Sequence, residues 1–167
     1  KDLNADYIIA GGQTMNPSIE DILNAVDRVK AKEIFVLPNN SNIVLSARQA
    51  AEISDKKIHV IPTKTIPQGL AALIAFNAEI SADDNIKSML RAIDHVKSAQ
   101  ITYAVRDSQV NGLKIKQGDI MGIADGEIEV VGKKIAKVTR QLLDMMLKDG
   151  GEIVTILYGS DAKEEDT

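Results

Sequence analysis

Three short polar stretches hold most of the side chains that could do chemistry. They are Gly11-Gly12-Gln13-Thr14-Met15-Asn16-Pro17-Ser18, Pro38-Asn39-Asn40-Ser41-Asn42 and Thr63-Lys64-Thr65-Ile66-Pro67-Gln68-Gly69. Between them they offer Gly12, Gln13, Thr14, Asn16, Ser18, Asn39, Asn40, Ser41, Asn42, Lys64, Thr65 and Gln68: amides, hydroxyls, backbone N–H groups and one ammonium. No Asp, Glu, His or Cys stands among them. General acid–base catalysis needs a group whose pKa can be brought near the working pH, and only a strongly desolvated Lys64 would qualify. A serine nucleophile needs a neighbouring base, and none is close in sequence. These stretches are equipped to hold something by hydrogen bonds, above all an anion over helix N-termini. The competing reading is that Asn16 and Ser41 simply cap helices and that the other side chains satisfy turns.

A second set is acidic. Asp119, Asp125, Glu127 and Glu129 cluster in the second half. Glu127 and Glu129 are two apart and share one strand face, with Ile128 and Val130 on the other. This is either an ordinary solvated face or an acidic docking surface for a basic partner. Arg106-Asp107 reads as a local ion pair at a turn, or as a partner contact. His59, in an apolar strand, and His95, on a charged helix face, have no carboxylates at ligand spacing, which argues against a zinc site. Asp83-Asp84 sits at a helix start, where acids favour the helix dipole. No phosphate-binding loop or dinucleotide fingerprint is present.

The elements that must position these residues fall into two halves. In the first, apolar runs alternate with amphipathic ones: strand Tyr7–Ala10, helix Ile19–Val29, strand Glu33–Leu37, helix Ile43–Ile53, strand Ile58–Ile61, helix Gln68–Phe76. This alternation predicts β-α-β units and a parallel sheet, with the three polar stretches meeting at one sheet edge. Pro17 fits a first helical turn, with Asn16 as N-cap. A long helix from Asp83 to about Ala99 follows, capped by Ser81, and the subdomain boundary is expected near Ile80. The second half has a strand Ile101–Arg106, hairpin signals at Asn111-Gly112 and Asp125-Gly126, and strands Leu113–Lys116, Ile120–Ala124 and Glu127–Val131, which read as an antiparallel meander. A helix Lys134–Lys148, with Ile135, Val138, Leu142 and Met145 inward and Met146 as core filling, leads to a last strand Glu152–Tyr158. The expected fold class is α/β: a parallel β-α-β subdomain (1–80) followed by an α+β subdomain (81–167).

The bulk properties agree with a globular domain. The chain has 167 residues, 44% apolar and 26% charged, and a net charge of −4. Aromatics at 3%, with no Trp and no basic stripe, argue against nucleic acid. The absence of cysteine removes thiol chemistry and fits a cytoplasmic location. No apolar run is long enough to span a bilayer. The start at Lys1 and the helix-like Ala162–Asp166 at the end suggest a piece of a longer protein.

The three polar stretches, in this order, resemble the carboxy-terminal region of the bacterial fatty-acid kinase large subunit, of the dihydroxyacetone-kinase-like group. Tyr103–Asp107, Lys116–Asp119 and Glu152–Gly159 agree with the same family. The resemblance covers nearly the whole chain. It implies a DegV-like two-subdomain fold. It implies a parent that transfers phosphate from ATP to a fatty acid held by a separate carrier, giving acyl phosphate for phospholipid synthesis. ATP and magnesium would bind an amino-terminal domain, and a central domain would supply catalytic cysteine and histidine and the homodimer contact. This region would dock the carrier and have no kinase activity or cofactor of its own. The DegV-like relation adds an alternative, an anion or acyl-carboxylate site at the three loops.

Overall fold

A computed structural model describes residues 5–11, 16–110, 112–151 and 153–159. The chain divides into two compact units between Val96 and Lys97.

In the first unit, helix α1 (Ile19–Arg28), strand β1 (Glu33–Val36), helix α2 (Ser41–Ile53), strand β2 (Lys57–Val60), helix α3 (Ile66–Ala75) and helix α4 (Ala82–Asp94) follow in order. β1 and β2 are parallel, with Glu33 opposite Lys57 and Val36 opposite Val60. Because side chains alternate across a strand, Ile34 and Val36 join Ile22, Val26, Ala47 and Ala50 in one core, on the side of α1 and α2. Phe35 and Leu37 join Ile61, Ala72, Met89 and Ile93 in a second core, under α3 and α4. The sheet is thus sandwiched between two helical layers.

Several expectations are corrected here. Tyr7–Ala10 forms no strand, so the parallel sheet has two strands among the described residues. Ile9 still packs on the first core. Tyr7 is tied to α1 by its side chain, with the Arg28 guanidinium donating to its hydroxyl at 2.9 Å and lying 5.8 Å from its ring centroid. The unit boundary lies after α4 and not near Ile80, because Met89 and Ile93 belong to the second core. α4 ends at Asp94, with His95 as C-cap.

The second unit contains β3 (Ala99–Tyr103), β4 (Ser108–Val110), β5 (Leu113–Ile115), β6 (Ile120–Ala124), β7 (Glu127–Gly132) and α5 (Ile135–Met146), with a 3₁₀ turn at Leu147–Asp149. The strands do not form one meander. β3-β6-β7 is an antiparallel sheet, and β4-β5 is a separate ribbon between β3 and β6. The base of the ribbon is held by Asp107, which accepts from Lys116 Nζ at 2.7 Å and from Gln117 N–H at 2.8 Å. Asp107 therefore pairs across the ribbon with Lys116, not locally with Arg106. These contacts hold its carboxyl below its ordinary pKa, the Lys116 ammonium contributing most.

α5 covers the sheet through Val138, Leu142 and Met146, over Ile120 and Val130. Gly132 permits the approach: a Cβ there would lie 2.7 Å from Val138 Cγ2. Met145 is 39% exposed, a correction to its expected inward position. The helical phase that buries Val138 and Leu142 selects Met146, four residues further on. β7 bulges at Glu129, so Ile128 sits opposite Ile123 while Val130 sits opposite Gly122. Those partners are neighbours on β6, so Ile128 and Val130 face opposite sides, contrary to the simple alternation. Residues 153–158 are not a strand. Gly150, at φ 90°, turns the chain out of α5, and the run has no ladder partner among the described residues, leaving Ile153 85% exposed. The expected Ala162–Asp166 helix lies outside the described residues, as does Glu152.

Candidate functional site at the ends of β1 and β2

β1 leads through Leu37 and Pro38 to Asn39, which takes a left-handed conformation (φ 56°) that asparagine tolerates. Its N–H donates to Thr63 Oγ1 at 3.0 Å, and Thr63 is fully buried just past β2. The Asn39 side chain lies against Gly69 in the first turn of α3, where a Cβ would stand 1.9 Å from Asn39 Oδ1. That oxygen is buried and has no hydrogen-bond partner. An unmatched buried carbonyl is unusual, since burial without a donor costs about 1–3 kcal/mol.

The surrounding polar side chains serve helix starts. Asn40 is the N-cap of α2, its Oδ1 accepting from Asn42 N–H at 2.9 Å. Thr65 caps α3, accepting from Gln68 N–H at 3.3 Å, while Gln68 Oε1 accepts from Lys64 N–H at 2.8 Å. The expected cap at Ser41 is therefore Asn40, one residue earlier. Ser41, Asn42 and Lys64 have exposed side chains at the same strand ends. At α1 the cap is Ser18, not Asn16. Ser18 Oγ accepts from Asp21 N–H at 3.1 Å, and Asp21 Oδ2 accepts from Ser18 N–H at 2.9 Å and from Ser18 Oγ at 2.7 Å. This reciprocal box outcompetes Asn16, because its carboxylate is held at the positive end of the helix. The Ser18 hydroxyl, more than any other contact, depresses the Asp21 pKa. Gly12, Gln13 and Thr14 lie outside the described residues.

The structure thus unites Asn39, Thr63 and Gly69 in one contact, and Lys64, Thr65 and Gln68 in another. Ser18 is committed to Asp21. Thr63 and Gly69 were not singled out from the sequence; the signal was there in Gly69, small and at the start of an apolar helix where a backbone approach demands it.

The acidic set separates. Asp119 is buried, a correction to its place on an exposed docking face. It accepts from Lys116 N–H at 2.9 Å and binds the Lys133 ammonium, which is the main cause of its lowered pKa. Asp125, Glu127 and Glu129 are exposed. Asp125, at φ 50° before Gly126 at φ 90°, occupies a tight hairpin turn that favours Asp-Gly. His59 is a packed strand residue: it stacks on Phe35 at 4.9 Å between centroids, with Nε2 2.9 Å from Glu33. That contact is the first cause of the lowered Glu33 pKa. Beside it, Phe35, Phe76 and Ile80 line an open groove of about 340 Å³ that the sequence did not reveal. Among the described residues no group of three or more His, Cys, Asp or Glu could hold a metal ion, and no helix is long and apolar enough to cross a membrane.

The fold is DegV-like. The crystal structure of a DegV lipid-binding protein from Thermotoga maritima superposes with a TM-score of 0.54 over 80% of this chain and 55% of its own, at 17% identity. The chain belongs to the FakA-like family of fatty acid kinase C-terminal domains, whose model matches residues 1–167. Protein YloV of Bacillus subtilis is 49% identical over 99% of this chain, and the uncharacterized protein SAR1202 of Staphylococcus aureus is 41% identical over 98% of it. In both cases the chain spans 30% of the relative's length.

Proposed function

We propose that this domain is the non-catalytic docking module of a fatty-acid kinase, acting in the cytoplasm. It binds the fatty-acid-loaded carrier protein so that another domain of the whole protein, holding ATP and magnesium, phosphorylates the fatty acid to acyl phosphate. Homodimer contacts belong to a further domain. The observation that carries this reading is the composition of the strand-end loops. Their described residues contain no carboxylate or imidazole, and Asn40, Thr65 and Gln68 are committed to helix caps, so they lack the means for proton transfer. Family membership supports the fatty-acid kinase context. Sedimentation velocity with the fatty-acid-loaded carrier is the test: a complex that weakens as salt rises is expected. Absence of a complex with both this chain and the whole parent protein rejects the reading.

A second reading is a small-ligand domain that holds an anion or acyl carboxylate at the same loops. The N-termini of α2 and α3 favour it, together with the exposed Lys64 ammonium that would balance an anion. Native mass spectrometry of the purified chain with oleate and with acetate decides it. Spectra showing only the unliganded mass rule it out.

A further inference from the structure

The outward side of α5 carries an excess of positive charge. Residues 133–149 carry five cations (Lys133, Lys134, Lys137, Arg140, Lys148) and two anions (Asp144, Asp149), in a chain whose net charge is −4. The sign of this segment is opposite to that of the rest, a local basic cluster that corrects the expectation of no basic stripe. Lys134, Lys137, Arg140 and Lys148 are exposed and make no ion pair among the described residues. Lys133 stands at one end, its charge offset by Asp119, and Lys97 lies at the other end, its ammonium donating to Met146 O at 3.2 Å. The N-cap residue Lys134 supplies no side-chain acceptor, so the partial positive charge of the helix start is uncompensated there. Val138 and Leu142 on the opposite face are buried against the sheet, so the cations are held on a rigid support and point away from it.

We infer that this face of α5 is a reversible contact surface for an anionic phospholipid bilayer. Three features favour lipid over an acidic protein. Four of the five cations are lysines, point charges suited to a diffuse negative surface, whereas bidentate pairing with a protein carboxylate favours arginine. Lys134, Lys137 and Arg140 are spread over the first half of the helix and Lys148 stands beyond its end, with the anion Asp144 between, so they present a diffuse charge and not one focused site. Apolar Met145 and Leu147, 39% and 42% exposed, lie at the end of the stripe, where they can enter the headgroup boundary. Each cation near such a surface strengthens binding about fivefold, and the effect decays within about 8 Å at physiological salt. Contact is therefore weak and salt-sensitive.

The test is co-sedimentation of the purified chain with sucrose-loaded vesicles of phosphatidylcholine containing phosphatidylglycerol, at low and physiological salt. Vesicles of pure phosphatidylcholine and soluble polyglutamate run in parallel. The triple variant Lys134→Gln, Lys137→Gln, Arg140→Gln alters only exposed side chains, and circular dichroism checks that it folds. Binding to the anionic vesicles that falls with salt, and that the variant lowers on the order of a hundredfold, is expected. No binding to anionic vesicles at low salt overturns the inference. So does equal binding to neutral vesicles, an unchanged affinity in a folded variant, or polyglutamate binding that matches the vesicles, which assigns the face to an acidic protein.

Discussion

The amide of Asn39 rests on the Cα of Gly69, so closely that a Cβ at position 69 would fall 1.9 Å from Asn39 Oδ1. The end of β1 and the first turn of α3 thereby share one contact, although 30 positions separate them in sequence. The left-handed Asn39 backbone cannot retreat without releasing the bond from Asn39 N–H to the buried Thr63. Gly69→Ala is therefore expected to destabilise the first unit by about 1–3 kcal/mol, the range for overpacking a filled site. A lower urea midpoint with an unchanged denaturant slope checks it.

Thr63→Val keeps the shape and removes the acceptor of Asn39 N–H. A partly buried donor then goes unmatched, at a cost of about 1–3 kcal/mol. Thr63→Ser retains the hydroxyl and is expected to lose less. Thermal unfolding of the two variants distinguishes them, and equal losses would assign the residue's importance to its methyl group.

Lys56 closes the far end of α1. Its ammonium donates to Val26 O at 2.9 Å, Asp27 O at 3.2 Å and Val29 O at 2.8 Å, carbonyls at the helix C-terminus, of which Val26 O also accepts from Val29 N–H. Lys56→Met preserves the stem and removes all three donors. A loss of about 1–2 kcal/mol is expected, because a cation at this end also offsets the helix dipole. Hydrogen exchange at the last turn of α1, read by NMR, is expected to speed up before exchange in β1 does.

Acid weakens both units in the same direction. The carboxyls of Asp21, Glu33, Asp84, Asp107 and Asp119 all lie below their ordinary pKa, held there chiefly by Ser18, His59, Ser81, Lys116 and Lys133 respectively. The unfolded chain binds their protons first, so stability rises with pH through this range. The stabilisation is complete above the ordinary carboxylate range of about 4 and is lost as pH falls below it, through the folded-state values. Urea midpoints measured from pH 6 down to pH 3 are expected to decline. Asp119→Asn and Asp107→Asn, which leave Lys133 and Lys116 without their anions, are expected to flatten the decline in the second unit.

Much of this architecture was legible in the chain. β1, β2 and the four helices of the first unit sit within a few residues of where apolar periodicity put them, since each helix must bury one stripe and each inner strand both faces. The Asp125-Gly126 hairpin followed from the conformations that pair tolerates. Caps were harder: Asn16, Ser18, Asn40 and Ser41 are all good cap residues, and the choice went to Ser18 and Asn40 through contacts with Asp21 and Asn42. The Asn111-Gly112 turn signal and β5 were legible, but β4 was missed because Ser108–Val110 is short and polar, and the ribbon is fixed by Asp107 reaching residues nine and ten positions away. At the strand-end loops composition showed that proton transfer was excluded, while the Asn39–Gly69 contact needed the fold to appear. Burial of Asp119 depended on a lysine 14 positions later, which no local pattern encodes.

The bulge at Glu129 has a consequence for how the second unit reaches one arrangement. Ile128-Glu129-Val130-Val131 is a run that β6 could accept in more than one alignment, and a slip by one residue would exchange its inward and outward side chains. With one residue extra, β7 places Val130 against Gly122, beneath Val138 and Leu142, and still ends with Gly132 opposite Ile120. Only in that frame does the glycine that admits Val138 fall under α5. The irregular residue thereby fixes the one register of the hairpin on which α5 can close.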